Sequence, residues 1–226
     1  DPEAWFNMIK GTLAHEFQHL INFTNRYNKW STQNDYDSEV FINEGLSMVA
    51  EDLAIMGPGY RHNPELDDRI ITYLNDTAAN SLCTWGDSVA DYAPAYMFMR
   101  YFVDRFGEEN IKSLISTDSV GLNSLTAVSG CSFVDLFRDW LAAVILDYLN
   151  YASTIYTYKT LDLSSETYAG RFEFETNSSF SIPDTTGAFI YRTNLESTNQ
   201  IAISIDGSPG FGLRLGLLAA AGYTFS

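Results

Sequence analysis

The sequence predicts a mainly helical domain over residues 1–158 followed by a small β-rich domain over residues 159–226. Two observations predict it. Apolar residues recur at i+3/i+4 spacing through most of the first part, the signature of helices with one buried stripe. From about residue 160 the pattern changes to alternation, in Arg171-Phe-Glu-Phe-Glu and Gln200-Ile-Ala-Ile-Ser-Ile, broken by turn signals at Asn177-Ser-Ser, Pro183-Asp and Asp206-Gly-Ser-Pro-Gly, as strands and hairpins require. Four to six strands are expected there, fewer than the about seven of an independent sandwich.

Residues 3–26 carry Phe6, Ile9, Leu13, Phe17 and Leu20 on one side and Met8, Thr12, His15, His19 and Phe23 on the other. Both sides are expected to be buried, which places this helix in the middle of the domain. Residues 27–38 are polar and aromatic and read as a solvated loop. The alternation of Asp35, Asp37 and Glu39 matches only part of a calcium loop, without its glycine or terminal Glu. Residues 39–56 form a second helix with Ile42, Leu46, Val49, Leu53 and Met56 as its core stripe, stopped by Gly57-Pro58-Gly59. After a loop, Glu65–Leu74 reads as a helix and residues 75–90 as mixed and polar. Pro94 fits the first turn of a helix running to about Phe106. Shorter helices are expected near 108–117 and 121–129. Ser132, with Asp135 three residues on, opens an amphipathic helix over Phe133–Leu149.

Composition narrows the function classes. The 226 residues carry a net charge of −16, with hydrophobic content of 46% and aromatic content of 15%. A sizeable core is expected, and the acidity serves solubility. No basic stripe exists to meet phosphates, so nucleic-acid binding is excluded. The apolar run Leu213 to Ala221 is too short to span a membrane. The polar start at Asp1-Pro2 is unlike a basic-then-apolar leader. Cys83 and Cys131 are the two cysteines; they form one disulfide or stay as two buried thiols.

The chemistry concentrates in His15-Glu16-Phe17-Gln18-His19, an HExxH pentad. Residues four apart on a helix are neighbours, roughly 5–6 Å between Cβ atoms, so His15 and His19 can bind one metal ion. Glu16 lies about 100° round the helix from His15 and about 60° from His19. It can therefore reach a water on that ion without ligating it. This is the zinc-peptidase arrangement of two His ligands and a general base. A catalytic zinc wants a third protein ligand. His62 and several carboxylates are candidates. Glu44 is the best, since it lies off the core stripe of the next helix, where two antiparallel helices can face one ion. In Gly-Tyr-Arg-His-Asn-Pro, His62 reads better as a loop histidine.

Leu-Ala-His-Glu-Phe-Gln-His followed by Asn-Glu-Gly-Leu-Ser resembles the gluzincin metallopeptidases, with wording most like the hyicolysin-type neutral metallopeptidases. Aminopeptidases related to leukotriene A4 hydrolase share the Asn-Glu-Gly. The resemblance covers about residues 5–150. It implies zinc bound by His15, His19 and Glu44, with Glu16 as base, in a secreted or cell-surface enzyme acting on protein or peptide substrates. Asp91-Tyr-Ala-Pro-Ala-Tyr is similar to the segment that carries the catalytic Tyr of the aminopeptidase branch. Tyr92 falls at that position and would donate to the oxyanion, with Tyr96 as rival.

Three departures from the family pattern stand out. Thermolysin-like gluzincins place an Asp four residues after the ligand Glu to orient the first His, and here that position is Met48; Glu51, Asp52 and Asn43 are the nearby substitutes. The Gly-x-Met-Glu-Asn motif of the aminopeptidases is not found, which favours an endopeptidase over an aminopeptidase. Only 14 residues precede His15, where such enzymes carry a β-rich portion; either the chain is a fragment or the β-rich tail takes that place. The competing readings are a secreted or surface binding protein that keeps a non-proteolytic zinc site, and a purely structural zinc.

Overall fold

The computed structural model describes residues 2–59, 61–86, 88–151, 155–172 and 185–189. Eight α-helices lie among them: α1 Pro2–Arg26, α2 Gln33–Asp37, α3 Val40–Met56, α4 Asp67–Asn75, α5 Tyr92–Phe106, α6 Glu109–Ser116, α7 Leu122–Ser129 and α8 Phe133–Tyr148. Each long helix expected from apolar spacing is present. Ser132 caps α8 as its sequence position implies, accepting from the Asp135 amide at 3.1 Å. No helix among the described residues is long and apolar enough to cross a membrane.

The centre of the fold is α5. Its residues Ala93 to Asp104 are all buried, and α3, α4 and α8 pack around it. Trp140 of α8 and Phe41 of α3 meet Phe98 of α5 edge-on, an arrangement that adds to the area term. Gly45 sets how closely α3 approaches α5. A Cβ there would stand 2.4 Å from Met99 Cγ and 2.5 Å from the Ala95 carbonyl oxygen. One of those neighbours is backbone and cannot swing aside. Gly45→Ala is therefore expected to cost about 1–3 kcal/mol by overpacking, measured by denaturant unfolding, and to disturb the adjacent Glu44.

The segment between α1 and α3 differs from the expected solvated loop. Thr32 and Asp35 form a capping box around the short α2, and Tyr27–Lys29 make one 3-10 turn. Glu39 is buried, held by Arg26, the Trp30 indole and the Gly121 amide. It belongs to the protein's interior and not to a calcium loop.

The face that α1 buries also differs. Phe6, Leu13, Phe17 and Leu20 of the expected core stripe are 57–64% exposed. The buried positions are Gly11, Gln18, Asn22 and Arg26, with His15 and His19 half-buried beside them. The cause is where the partners sit. Glu39, Glu44 and Glu51, which bind Arg26 and the two histidines, all come from α3 or the residue before it. The face that carries the chemistry turns towards α3, and the apolar face turns away.

The β-rich tail is the main correction. The described residues contain no strand. Residues 155–172 run in turns and bends, and four of their amides, those of Tyr158, Lys159, Thr160 and Leu163, are satisfied by carboxylates from the helices instead of by a ladder. Asp147 accepts from Tyr158 and Leu163 at 3.0 and 2.7 Å. Asp104 accepts from Lys159 and Thr160 at 2.8 and 2.9 Å. Phe172, part of the expected alternation, is buried with Tyr158, Leu161, Leu163 and Tyr168 in the same core as the helices. Residues 185–189 pack there as well, with Thr77 donating to the Gly187 carbonyl at 2.8 Å. The remaining alternation and the run Leu213 to Ala221 lie outside the described residues. Cys83 and Cys131 are partly buried and not joined by a disulfide.

Candidate metal centre

Two antiparallel helices build the site. Read downwards, α1 meets α3 read upwards: Arg26 with Glu39, His19 with Glu44 and Ser47, His15 with Glu44 and Glu51. Ser47 and Glu51 are four residues apart on α3, and His19 and His15 are four apart on α1. Each imidazole Nδ1 thus receives its own partner from the facing helix, while Glu44 faces both rings.

Those partners fix which nitrogen is left for a ligand role. His15 Nδ1 lies 2.7 Å from Glu51 Oε1, and His19 Nδ1 lies 3.1 Å from Ser47 Oγ. Both Nε2 atoms then point to Glu44 Oε2, at 3.4 Å each. That oxygen is buried and has no hydrogen-bond partner. The three donor atoms lie within 4.8 Å of one another.

The donor set fits zinc. Zinc binds imidazole nitrogen at ~2.0–2.1 Å and carboxylate oxygen at ~2.0–2.2 Å, and bonds of that length in a tetrahedron put ligand atoms about 3.3–3.5 Å apart. Three protein ligands leave a fourth position for water or substrate. The electrostatics favour positive charge at this point. Burial works against the His15 imidazolium, yet Glu44 and Glu51 outweigh it and push its pKa up to about 9. Glu44 beside it raises His19 against a smaller effect of burial. Burial also opposes ionisation of Glu44, but the two imidazoles hold its carboxyl at about 2.

Glu16 is exposed on the turn between the two histidines. Tyr92 occupies the first position of α5, edge-on to Trp85 with ring centroids 5.0 Å apart and under the Arg69 guanidinium at 5.3 Å. The Ala95 carbonyl, three residues on, faces Gly45, so the start of α5 runs beside Glu44's neighbour.

Tyr96 and His62 belong elsewhere. Tyr96 is fully buried. It donates to Asp52 at 3.0 Å and lies 2.8 Å from His62 Nδ1. His62 Nε2 lies 2.7 Å from Asp67. Both groups are committed to a buried network with Arg100 and Tyr168, which takes them out of contention as third ligand or oxyanion donor. Asp52, one of the substitutes for the orienting Asp, serves that network too. Met48 is buried in the core.

Sequence reasoning missed Ser47, and it left Glu51 as one of three substitutes. Helical arithmetic was the available signal: 47 and 51 share the four-residue spacing of 15 and 19.

No family model matches the chain. Over 99 residues it is 32% identical to the neutral metalloprotease ShpI of Staphylococcus hyicus, a match spanning 41% of this chain and 20% of that protein. The chain therefore corresponds to a fraction of the length of this relative. The shared stretch, together with a His-His-Glu cluster of metal-binding geometry, supports a metalloprotease relationship.

Proposed function

We propose that the chain carries the catalytic centre of a zinc endopeptidase of the gluzincin type. The observation that carries the reading is the convergence of His15 Nε2, His19 Nε2 and Glu44 Oε2 beside an exposed Glu16 on the same helix. A zinc ion held there supplies a polarised water and a Lewis acid for the scissile carbonyl. Glu16 takes the proton of the attacking water and returns it to the leaving amine. Tyr92 donates a hydrogen bond to the oxyanion as it develops. Ser47 and Glu51 keep the two imidazoles aimed. The substrate class is protein or peptide, matching the named activity of the similar protein, and the expected location is outside the cell.

The test is cleavage of a fluorogenic peptide library by the zinc-loaded protein, reversed by a chelator and restored by added zinc. Cleavage indifferent to the chelator contradicts the reading. Within that assay, Tyr92→Phe is expected to lower kcat by about 10²–10³ with zinc content unchanged, as loss of an oxyanion donor does. A variant with the parent's kcat removes Tyr92 from the mechanism.

A further inference from the structure

We infer that the aromatic cluster of Phe23, Tyr27, Trp30 and Tyr36 is a substrate subsite beside the metal centre, and that it takes an aromatic side chain of the peptide two or three residues from the cleaved bond. The inference rests on the endopeptidase reading and names what that site prefers.

The four rings form one surface with Trp30 at its middle. Tyr36 meets Trp30 edge-on with centroids 5.0 Å apart, Tyr27 meets it edge-on at 6.4 Å, and Phe23 lies tilted to it at 6.2 Å. Phe23 and Tyr27 are 5.0 Å from each other. Trp30 is half-buried, whereas Phe23, Tyr27 and Tyr36 are 51%, 59% and 44% exposed. The cluster is anchored from below. The Trp30 indole donates to Glu39 at 2.7 Å, and Glu39 is itself held by Arg26 and the Gly121 amide. Tyr36 rides on α2, whose start is fixed by the Thr32–Asp35 capping box. Phe6 and Phe17 of α1 are exposed too, but neither meets another aromatic ring among the described residues. Rings that are fixed before a ligand arrives lose little freedom when it binds.

The surface runs up to the metal centre. Glu44 shares one recess with Trp30, Tyr36, Val40 and Asn43. That recess has a volume of only about 20 Å³, room for one water and not for a side chain, so a ligand lies across the rings. Phe23 is one turn beyond His19. It is also seven residues after Glu16, within about 20° of two full turns, which puts the two in one line on the exposed side of α1 about 10 Å apart. An extended peptide advances ~3.3 Å per residue. With its cleaved bond at Glu16, the side chain that reaches Phe23 is therefore two or three residues away. The carboxylate beneath the rings is already paired with Arg26, so nothing there selects a charge. An aromatic side chain gains both area and edge-to-face geometry on such a surface, and alanine gains neither.

The experiment is a positional scan of fluorogenic peptides with the zinc-loaded protein, for the parent, Phe23→Ala and Tyr36→Ala, with zinc content, unfolding midpoint and sedimentation of each. The parent is expected to cleave peptides with Phe, Tyr or Trp two or three residues from the cleaved bond faster than their alanine counterparts. Each variant is expected to lower that ratio of kcat/KM by about 2–12-fold, the worth of an aromatic pair, through KM and with zinc retained. Where an alanine variant does not fold, Phe23→Leu and Tyr36→Leu, which keep apolar bulk without the ring, decide. A parent that cleaves peptides with no aromatic preference at those positions, or variants with the parent's ratio, overturn the inference alone. A parent dimer that Phe23→Ala takes apart, with flat selectivity, assigns the surface to a second copy and overturns it too. A parent that cleaves no peptide overturns the endopeptidase reading and the inference with it.

Discussion

Glu16→Gln is expected to lower peptide hydrolysis by about 10²–10⁴-fold while leaving the bound zinc in place. Gln matches Glu in size and helix preference but cannot accept the proton of the attacking water. Glu16 is not one of the three side chains whose donor atoms cluster within 4.8 Å, so metal content does not depend on it. Its exposure leaves it open to solvent and substrate, and no packing is lost with the substitution. Steady-state cleavage of a fluorogenic peptide, together with zinc content by mass spectrometry, checks both halves. Full-rate cleavage by Glu16→Gln contradicts its role as base. Loss of zinc would make it a ligand.

Arg26→Ala is expected to lower stability by about 3–5 kcal/mol, the cost of leaving a buried partner charge uncompensated. Arg26 closes α1 and is 2% exposed. Its Nε donates to Glu39 at 2.9 Å, and a second guanidinium nitrogen pairs with the other carboxylate oxygen. It also donates to the carbonyls of Leu114, Thr117 and Ser119 at 3.1, 2.8 and 2.6 Å. Without it, Glu39 remains buried with only the Trp30 indole and the Gly121 amide. Two contacts do not replace a guanidinium. This cluster joins the end of α1 to the start of α3, two turns from His19, so zinc affinity is expected to fall as well. Urea unfolding of the chelator-stripped protein measures the first effect. The double variant Arg26→Met/Glu39→Gln is expected to lose less than Arg26→Ala, because no charge is left buried. A loss below about 1 kcal/mol for Arg26→Ala, the range of an exposed pair, would contradict a buried Glu39 charge that depends on Arg26.

The helices were legible because their signals are local. Apolar spacing, Gly57 and Gly107 behind α3 and α5, Pro94 in a first turn and the Ser132 cap all act within a few residues. The convergence of His15, His19 and Glu44 was legible for the same reason twice over: the two histidines are linked by helical spacing, and Glu44 sits in a motif of its own. What the sequence hid is set by contacts between elements. Phe6, Leu13, Phe17 and Leu20 have the periodicity of a core face, but burial on α1 follows Arg26, His19 and His15 towards their acidic partners on the α3 side. Glu39 read as part of a polar loop because its partner Arg26 and the Gly121 amide are distant in sequence. The alternation after residue 160 has the period of a strand, yet in the described part Asp104 and Asp147 satisfy the amides that a sheet would pair. Glu51 could be ranked against Asp52 only once α1 lay across α3 and showed which carboxylate met His15.

Anomalous diffraction from zinc-loaded crystals, recorded on both sides of the zinc edge, tests whether one zinc ion is held by His15, His19 and Glu44. One strong peak is expected about 2.0–2.2 Å from His15 Nε2, His19 Nε2 and Glu44 Oε2. A peak at any other cluster, or none between α1 and α3, would contradict it.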